Sequence, residues 1–247
     1  MAKRMKTVRA GRLVRSVIYT ALNPRDPDHV RAAKSKCSTK ARQRMNLKRS
    51  AIKLKLMIAA NFTFSDLVVT YTYDDSSLPL TVEAAEELLK NHLVKLRAHR
   101  KKRGEIVKSI YVTESKHGDG RIHHHRVLNG TGADLDTLQS LWPWGNIEIE
   151  LIEARGYTAL AEYLTKEPRE VGSANGKRTW IPTLNLVKPK EENEWVPDHV
   201  TLAAPPGATV LDNEKYQNEF GSYAFIEYLL PDIPVRKGRP KQQPKRQ

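Results

Sequence analysis

EIVKSIYVTESKHGDGRIHHHRVLN, residues 105–129, decides the fold. EIVKSIYVTE (105–114) reads as a strand, KHGDG (116–120) as a turn and RIHHHRVLN (121–129) as the next strand. Working outward, LVVTYTY (67–73) is β-rich and ends in the turn-like DDSSLP. Thr81 is placed to cap a helix that runs to about Arg100. Glu83, Glu86 and Glu87 sit early in it and Lys95, Arg97 and Arg100 late, which suits the helix dipole. DLDTLQSLW (134–142) is a short helix, NIEIELIE (146–153) alternates as a strand does, and TALAEYLTKE (158–167) is a helix ended by Pro168. The order β-α-β-β-α-β-α predicts an α+β fold of the ferredoxin-like, split βαβ kind. Its sheet is antiparallel, with helices on one face. The first and third strands are then central, and the third carries the histidines.

The flanks differ in charge. The chain has 247 residues and a formal net charge of +14. Residues 1–60 hold 17 Lys/Arg against 2 acids and 235–247 hold 6 against none, while 61–234 carry a net charge of −7. Two concentrated basic segments on an acidic body point to a polyanion, because released counterions drive binding to phosphates. Residues 1–27 read as an irregular arm, and Asp28 to about Ala60, free of Gly and Pro, as one or two basic helices. The predicted organisation is a basic, partly helical N-terminal arm (1–60), a core domain (61–170), an extension packed on it (171–234) and a disordered basic tail (235–247). Arg12, Arg15, Arg42, Arg44, Lys48 and Arg49 are the candidate phosphate contacts. No apolar run is long enough to span a membrane and no secretory signal opens the chain. Cys37 is the only cysteine, so no disulfide forms within the chain and a reducing cytoplasm is the expected compartment. GSANGKR (172–178) falls short of a phosphate loop in spacing and lacks its Ser/Thr.

The chemistry concentrates on two short motifs. On a strand, residues i and i+2 share a face, so His123 and His125 point together and His124 points with Ile122. Two imidazoles on one face make half of a divalent-metal site. The third ligand is Glu114, which a hairpin brings close, or His117 or Asp119 from the turn. Tyr163 and Lys166 are neighbours at i and i+3 on a helix. A phenol, with an ordinary pKa of about 10, needs help to act as a nucleophile, and a nearby cation favours the phenolate. Tyr157 falls on another helix face and reads as structural. Trp142 and Trp144 read as core rather than as base-stacking groups.

TYTYDD, then Glu and HHH, then YLTK follow the motif order of HUH endonucleases. They resemble more narrowly the rolling-circle replication initiators of small single-stranded DNA phages and plasmids. The resemblance spans roughly residues 61–170. It departs from the family at His124, where the middle residue is apolar, and at Tyr71, where Leu is more usual, so His124 as a shifted ligand stays open. The resemblance implies that His123, His125 and Glu114 hold Mg²⁺ or Mn²⁺. Tyr163 would then attack single-stranded origin DNA, leaving a 5′-phosphotyrosine and a 3′-OH that primes a host polymerase, with a host helicase as a further partner and Lys166 stabilising charge. The bacterial cytoplasm is the implied location. A relaxase or transposase of the same fold, or a non-catalytic DNA-binding regulator, are the alternative readings.

Overall fold

The computed structural model describes residues 3–21, 40–115, 120–132, 134–166, 179–219 and 221–231, apart from the side chains of Ala41, Gln43, Ala154 and Arg155. The expected turn residues 116–119, Cys37, GSANGKR (172–178) and the basic tail 235–247 lie outside the described residues. The fold is α+β, with two five-stranded antiparallel sheets and four α-helices among the described residues.

The first sheet is built from β3 (Leu67–Tyr71), β4 (Ser109–Glu114), β5 (His123–Leu128), β6 (Ile147–Leu151) and the two-residue β7 (Ile181–Pro182), in the order β6-β3-β5-β4-β7. β3 and β5 are therefore inner strands, as the pattern predicts. Helix α2 (Val82–Lys102) begins where Thr81 Oγ1 accepts a hydrogen bond from the Ala84 backbone N–H at 3.2 Å. With α3 (Leu135–Leu141) it covers one face, over Val69, Tyr71, Tyr111, Leu128 and Trp142.

The expectation of helices on one face only is corrected by α1 (Lys40–Asn61) and α4 (Ile152–Leu164). They cover the opposite face through Leu54, Ile58, Leu160 and Leu164, packed on Val68, Ile110, Val112 and Val127. β3, β4 and β5 alternate two apolar sets, one for each face, so both faces need cover. α4 is interrupted near its start by Gly156, at φ 68° and ψ 166°, a backbone that a residue with a Cβ rarely adopts. The part that carries the functional side chains thus begins at Tyr157.

A second correction concerns residues 1–27. They are not an irregular arm: β1 (Lys3–Ala10) and β2 (Leu13–Thr20) pair as a hairpin. Its turn uses Gly11 at φ +59°, where a Cβ would also lie 2.5 Å from the Ala59 carbonyl oxygen. The hairpin joins β8 (Lys190–Val196), β9 (Thr209–Asn218) and β10 (Gly221–Leu229) in the order β8-β1-β2-β10-β9. The two ends of the chain thus build one sheet.

Helix α1 sits between the sheets. Leu54 and Ile58 face the first, while Ile52, Leu56 and Ala59 face Val8, Ala10 and Leu13 of the second. At 100° per residue these two sets lie on opposite sides of the helix.

A buried ion-pair cluster ties the second sheet to α1. Glu227 on β10 is 1% exposed; its carboxylate takes Arg15 Nη1 of β2 at 3.0 Å and Lys55 Nζ of α1 at 2.6 Å. The Arg15 guanidinium also lies 4.1 Å from the Phe225 ring centre. Replacing Glu227 with Ala strands two buried cations, so unfolding in urea should show a loss of roughly 3–5 kcal/mol. A midpoint within experimental error of the parent would show that the cluster carries no net stability.

Candidate active site

The register of β4 and β5 builds the site. Glu114 pairs with His123 and Val112 with His125, while Thr70 on β3 pairs with His125 from the other side. Glu114, His123 and His125 thus share the face covered by α1 and α4. The parity that Glu114 shares with Ile110 and Val112 does not bury it uselessly in the core. At the end of β4 that face meets the C-terminal end of α4.

Each ligand is held from behind. His123 Nδ1–H donates to the Arg121 carbonyl at 2.9 Å, which leaves Nε2 with a free lone pair. His125 Nδ1 lies 3.1 Å from Thr70 Oγ1. Both Nε2 atoms turn toward Glu114, at 3.4 Å from His123 to Oε2 and 3.7 Å from His125 to Oε1. The coordinating atoms of the three residues lie within 4.8 Å of one another.

Glu114 is 1% exposed, and neither carboxylate oxygen has a well-aligned hydrogen bond among the described residues. Burial works against its charge, but His123, His125 and Lys166 outweigh burial and hold the carboxyl below the usual carboxylate range. Glu114 in turn raises the His123 pKa, against the effect of burial. Two imidazole nitrogens and a carboxylate that converge without hydrogen-bond partners fit a divalent cation, with positions left open for a ligand.

His124 does not belong to this set. It projects through the opposite face, fully buried, with Nε2 2.7 Å from the Tyr73 hydroxyl and Nδ1 2.9 Å from Thr113 Oγ1. Burial, then the Arg126 charge, push its pKa down to about 3, so it is a neutral core histidine. The open possibility of His124 as a shifted ligand is closed by these two hydrogen bonds. Trp142 is likewise fully buried, its indole N–H donating to the Thr72 carbonyl at 2.9 Å.

Tyr163 and Lys166 come to the same place. The Tyr163 hydroxyl is 3.1 Å from His125 Nε2, and the two rings meet edge to face at 5.0 Å. Lys166 lies beyond the helix end rather than inside it, because α4 stops at Leu164 with Thr165 as its cap. Its ammonium nonetheless reaches Glu114 Oε2 at 3.1 Å and sits 4.0 Å from the centre of the Tyr163 ring. Burial lowers its pKa, but Glu114 and Tyr163 more than offset this and raise it, so the ammonium is kept. Tyr157 points elsewhere: its hydroxyl donates to the Phe62 carbonyl at 3.0 Å and its ring stacks on Phe64 at 4.6 Å.

The six candidate phosphate contacts divide. Arg42, Arg44, Lys48 and Arg49 are exposed on the N-terminal half of α1. Arg12 is exposed but donates to the Leu230 carbonyl at 2.8 Å. Arg15 is spent in the buried cluster with Glu227, which removes it from that group. Thr70, Thr113 and the Arg121 carbonyl were missed as positioning groups. Only Thr70 left a signal, its place opposite His125 once β3 and β5 are paired.

A cation bound here should stabilise the fold. With Mn²⁺ at about 100 times its Kd, thermal unfolding should show a gain of roughly 2.7 kcal/mol. His123→Ala and His125→Ala should lose that gain. His124→Ala should lower the baseline stability yet keep it. A gain that survives in both of the first two variants would put the cation elsewhere.

No curated protein and no solved structure matches the chain significantly. A family model does match: residues 66–168 fit that of the replication-associated protein ORF2 family. This agrees with the resemblance to rolling-circle replication initiators. The segment holding Glu114, His123, His125, Tyr163 and Lys166 is therefore similar to replication-associated proteins of the ORF2 family.

Proposed function

We propose that this chain starts rolling-circle replication by nicking single-stranded origin DNA through Tyr163, and later rejoins the ends, on an HUH framework of split ferredoxin-like topology. The observation that carries the reading is the Tyr163 hydroxyl 3.1 Å from a nitrogen of the Glu114–His123–His125 set, with the Lys166 ammonium over its ring. The inner positions of β3 and β5 and the match to replication-associated proteins support the framework.

The chemistry is a transesterification. Tyr163 Oη forms a bond to phosphorus and the bond from phosphorus to the 3′-oxygen breaks. The phenol loses its proton and the leaving 3′-oxygen gains one, so a 5′-phosphotyrosine and a free 3′-OH result. Mg²⁺ or Mn²⁺, held by Glu114, His123 and His125, supplies a Lewis acid that draws charge from a non-bridging phosphate oxygen. Lys166 stabilises negative charge on the phenolate before attack and on the leaving phenolate during resealing. Thr70 and the Arg121 carbonyl hold the two imidazoles in place, so no reorganisation is needed when the phosphate arrives. The 3′-OH then serves a host polymerase as primer, with a host helicase opening the duplex in the bacterial cytoplasm.

Tyr163→Phe keeps the ring and its edge contact with His125 but has no oxygen to attack with. Incubation with single-stranded origin-region oligonucleotides and Mn²⁺, read on a denaturing gel, should show neither nicking nor a covalent adduct. Tyr157→Phe should retain most activity and lose about 1 kcal/mol of stability with its hydrogen bond to Phe62. Lys166→Ala should slow cleavage without ending it. An adduct still formed by the Tyr163→Phe variant would overturn the assignment of the nucleophile.

A further inference from the structure

The second sheet presents a row of aromatic side chains that the nicking chemistry does not use. In register across its five strands stand Trp195, Arg4, Tyr19, Tyr223 and Tyr216. Adjacent strands lie about 4.8 Å apart, so the row is roughly 19 Å long. All five side chains lie on the face that α1 covers near Val8 and Leu13, but farther along the strands than those two residues. The two outer members are open to solvent, Trp195 at 49% and Tyr216 at 56% exposed. Arg4 lies 5.7 Å from the Trp195 ring centre. Half-exposed aromatics in line on a sheet, with a guanidinium among them, are costly to leave in water and suited to planar partners.

The row is continuous with the candidate active site. A cleft of about 560 Å³ runs between α1, α4 and the second sheet. Tyr223 and Phe225 line it on the sheet side, Lys48 on α1, and Glu162 and Lys166 at the other wall. Lys166 thus faces both the tyrosine site and this cleft. Exposed Arg42, Arg44 and Arg49 continue from Lys48 along α1.

Aromatic faces beside a line of cations match one kind of polymer, a strand whose bases are unpaired and whose phosphates run alongside. Paired bases would present only their edges, so duplex DNA does not fit the row. Glu214, beside Phe225 in the next row, offers acceptors to base amino groups and keeps the phosphates toward α1.

We infer that this face is a second single-stranded DNA site. Here the origin strand running away from the scissile phosphate stacks its bases on Trp195, Tyr19, Tyr223 and Tyr216 after passing through the Lys48–Lys166 cleft. The inference rests on the nicking function proposed above for its substrate. Its geometry rests on the second sheet, outside the segment that matches the family model.

The test uses the full chain without divalent metal, so that no cleavage occurs. Fluorescence anisotropy would follow a long single-stranded oligonucleotide that extends past the scissile phosphate, a short one that covers only the phosphate, and a duplex. The combined Trp195→Ala and Tyr216→Ala variant should bind the long strand at least about tenfold more weakly, since each stacked base is lost with its aromatic partner. Its affinity for the short strand should change by no more than about twofold. Gln217→Ala, on the opposite face of β9, should bind the long strand as the parent does. Unchanged long-strand affinity in the combined variant would overturn the inference. So would an equal loss for duplex, or a change in sedimentation of the free chain that marks the row as a self-association surface. Adduct formation by the parent is scored separately. An adduct with unchanged long-strand binding rejects the row and keeps the nuclease; lost long-strand binding without any adduct does the reverse.

Discussion

The pairing of Glu114 with His123 across β4 and β5 fixes which face of the sheet does chemistry. A side chain alternates faces at every residue, so a slip of one position would send His123 and His125 toward α2 and bring His124 to the tyrosine. What holds the register is the apolar content of both faces. Ile110, Val112 and Val127 must meet α1 and α4, while Tyr111 and Leu128 must meet α2 and α3. The polar residues confirm it from the other direction. His124 finds both of its hydrogen bonds only on the α2 face, through Tyr73 and Thr113.

Once the register is set, the charges have little freedom. Glu114 is buried among two imidazoles and an ammonium, and its carboxylate is held ionised by them. Lys166 is anchored by that carboxylate and leans on the Tyr163 ring. One buried acid thus orients two candidate ligands and the cation beside the candidate nucleophile. Removing it would disturb every functional contact of the pocket, whereas removing Lys166 leaves the His123–His125 pair facing the same point.

Between residues 67 and 164 the sequence was largely legible, because each element carries its own period and its own stop signal. Thr81 caps where expected, and the i, i+2 histidines fall on one face. The end of α4 was placed late because the Pro168 stop signal lies beyond the true cap at Thr165. The second sheet was not legible, for reasons its residues make plain. β8 (KEENEWV) is exposed at all but its last residue and β9 (TVLDNEKYQN) along its whole length, so neither shows a core-facing alternation. The hairpin of β1 and β2 is so basic that it read as an arm. Yet Arg4, Val8 and Ala10 share one face, and Gly11 supplies the turn between two runs of eight. α1 hid its role for the opposite reason: a helix packed on both sides has no single apolar stripe.

Folding the N-terminal charge into a sheet changes what that charge can do. A disordered arm neutralises phosphates wherever they lie, and its contribution depends on counterion release alone. Here Arg15 and Lys55 are consumed by Glu227, and Lys6 is paired with Glu191 at 2.7 Å. The cations that stay exposed at the N-terminal half of α1 are set on a helix wedged between two sheets, and Lys48 lines the same cleft as Lys166. Their positions relative to the tyrosine are therefore fixed by packing rather than by chain statistics. A strand gripped there is held in one direction and at one distance from the scissile phosphate, which a nick at a single position requires.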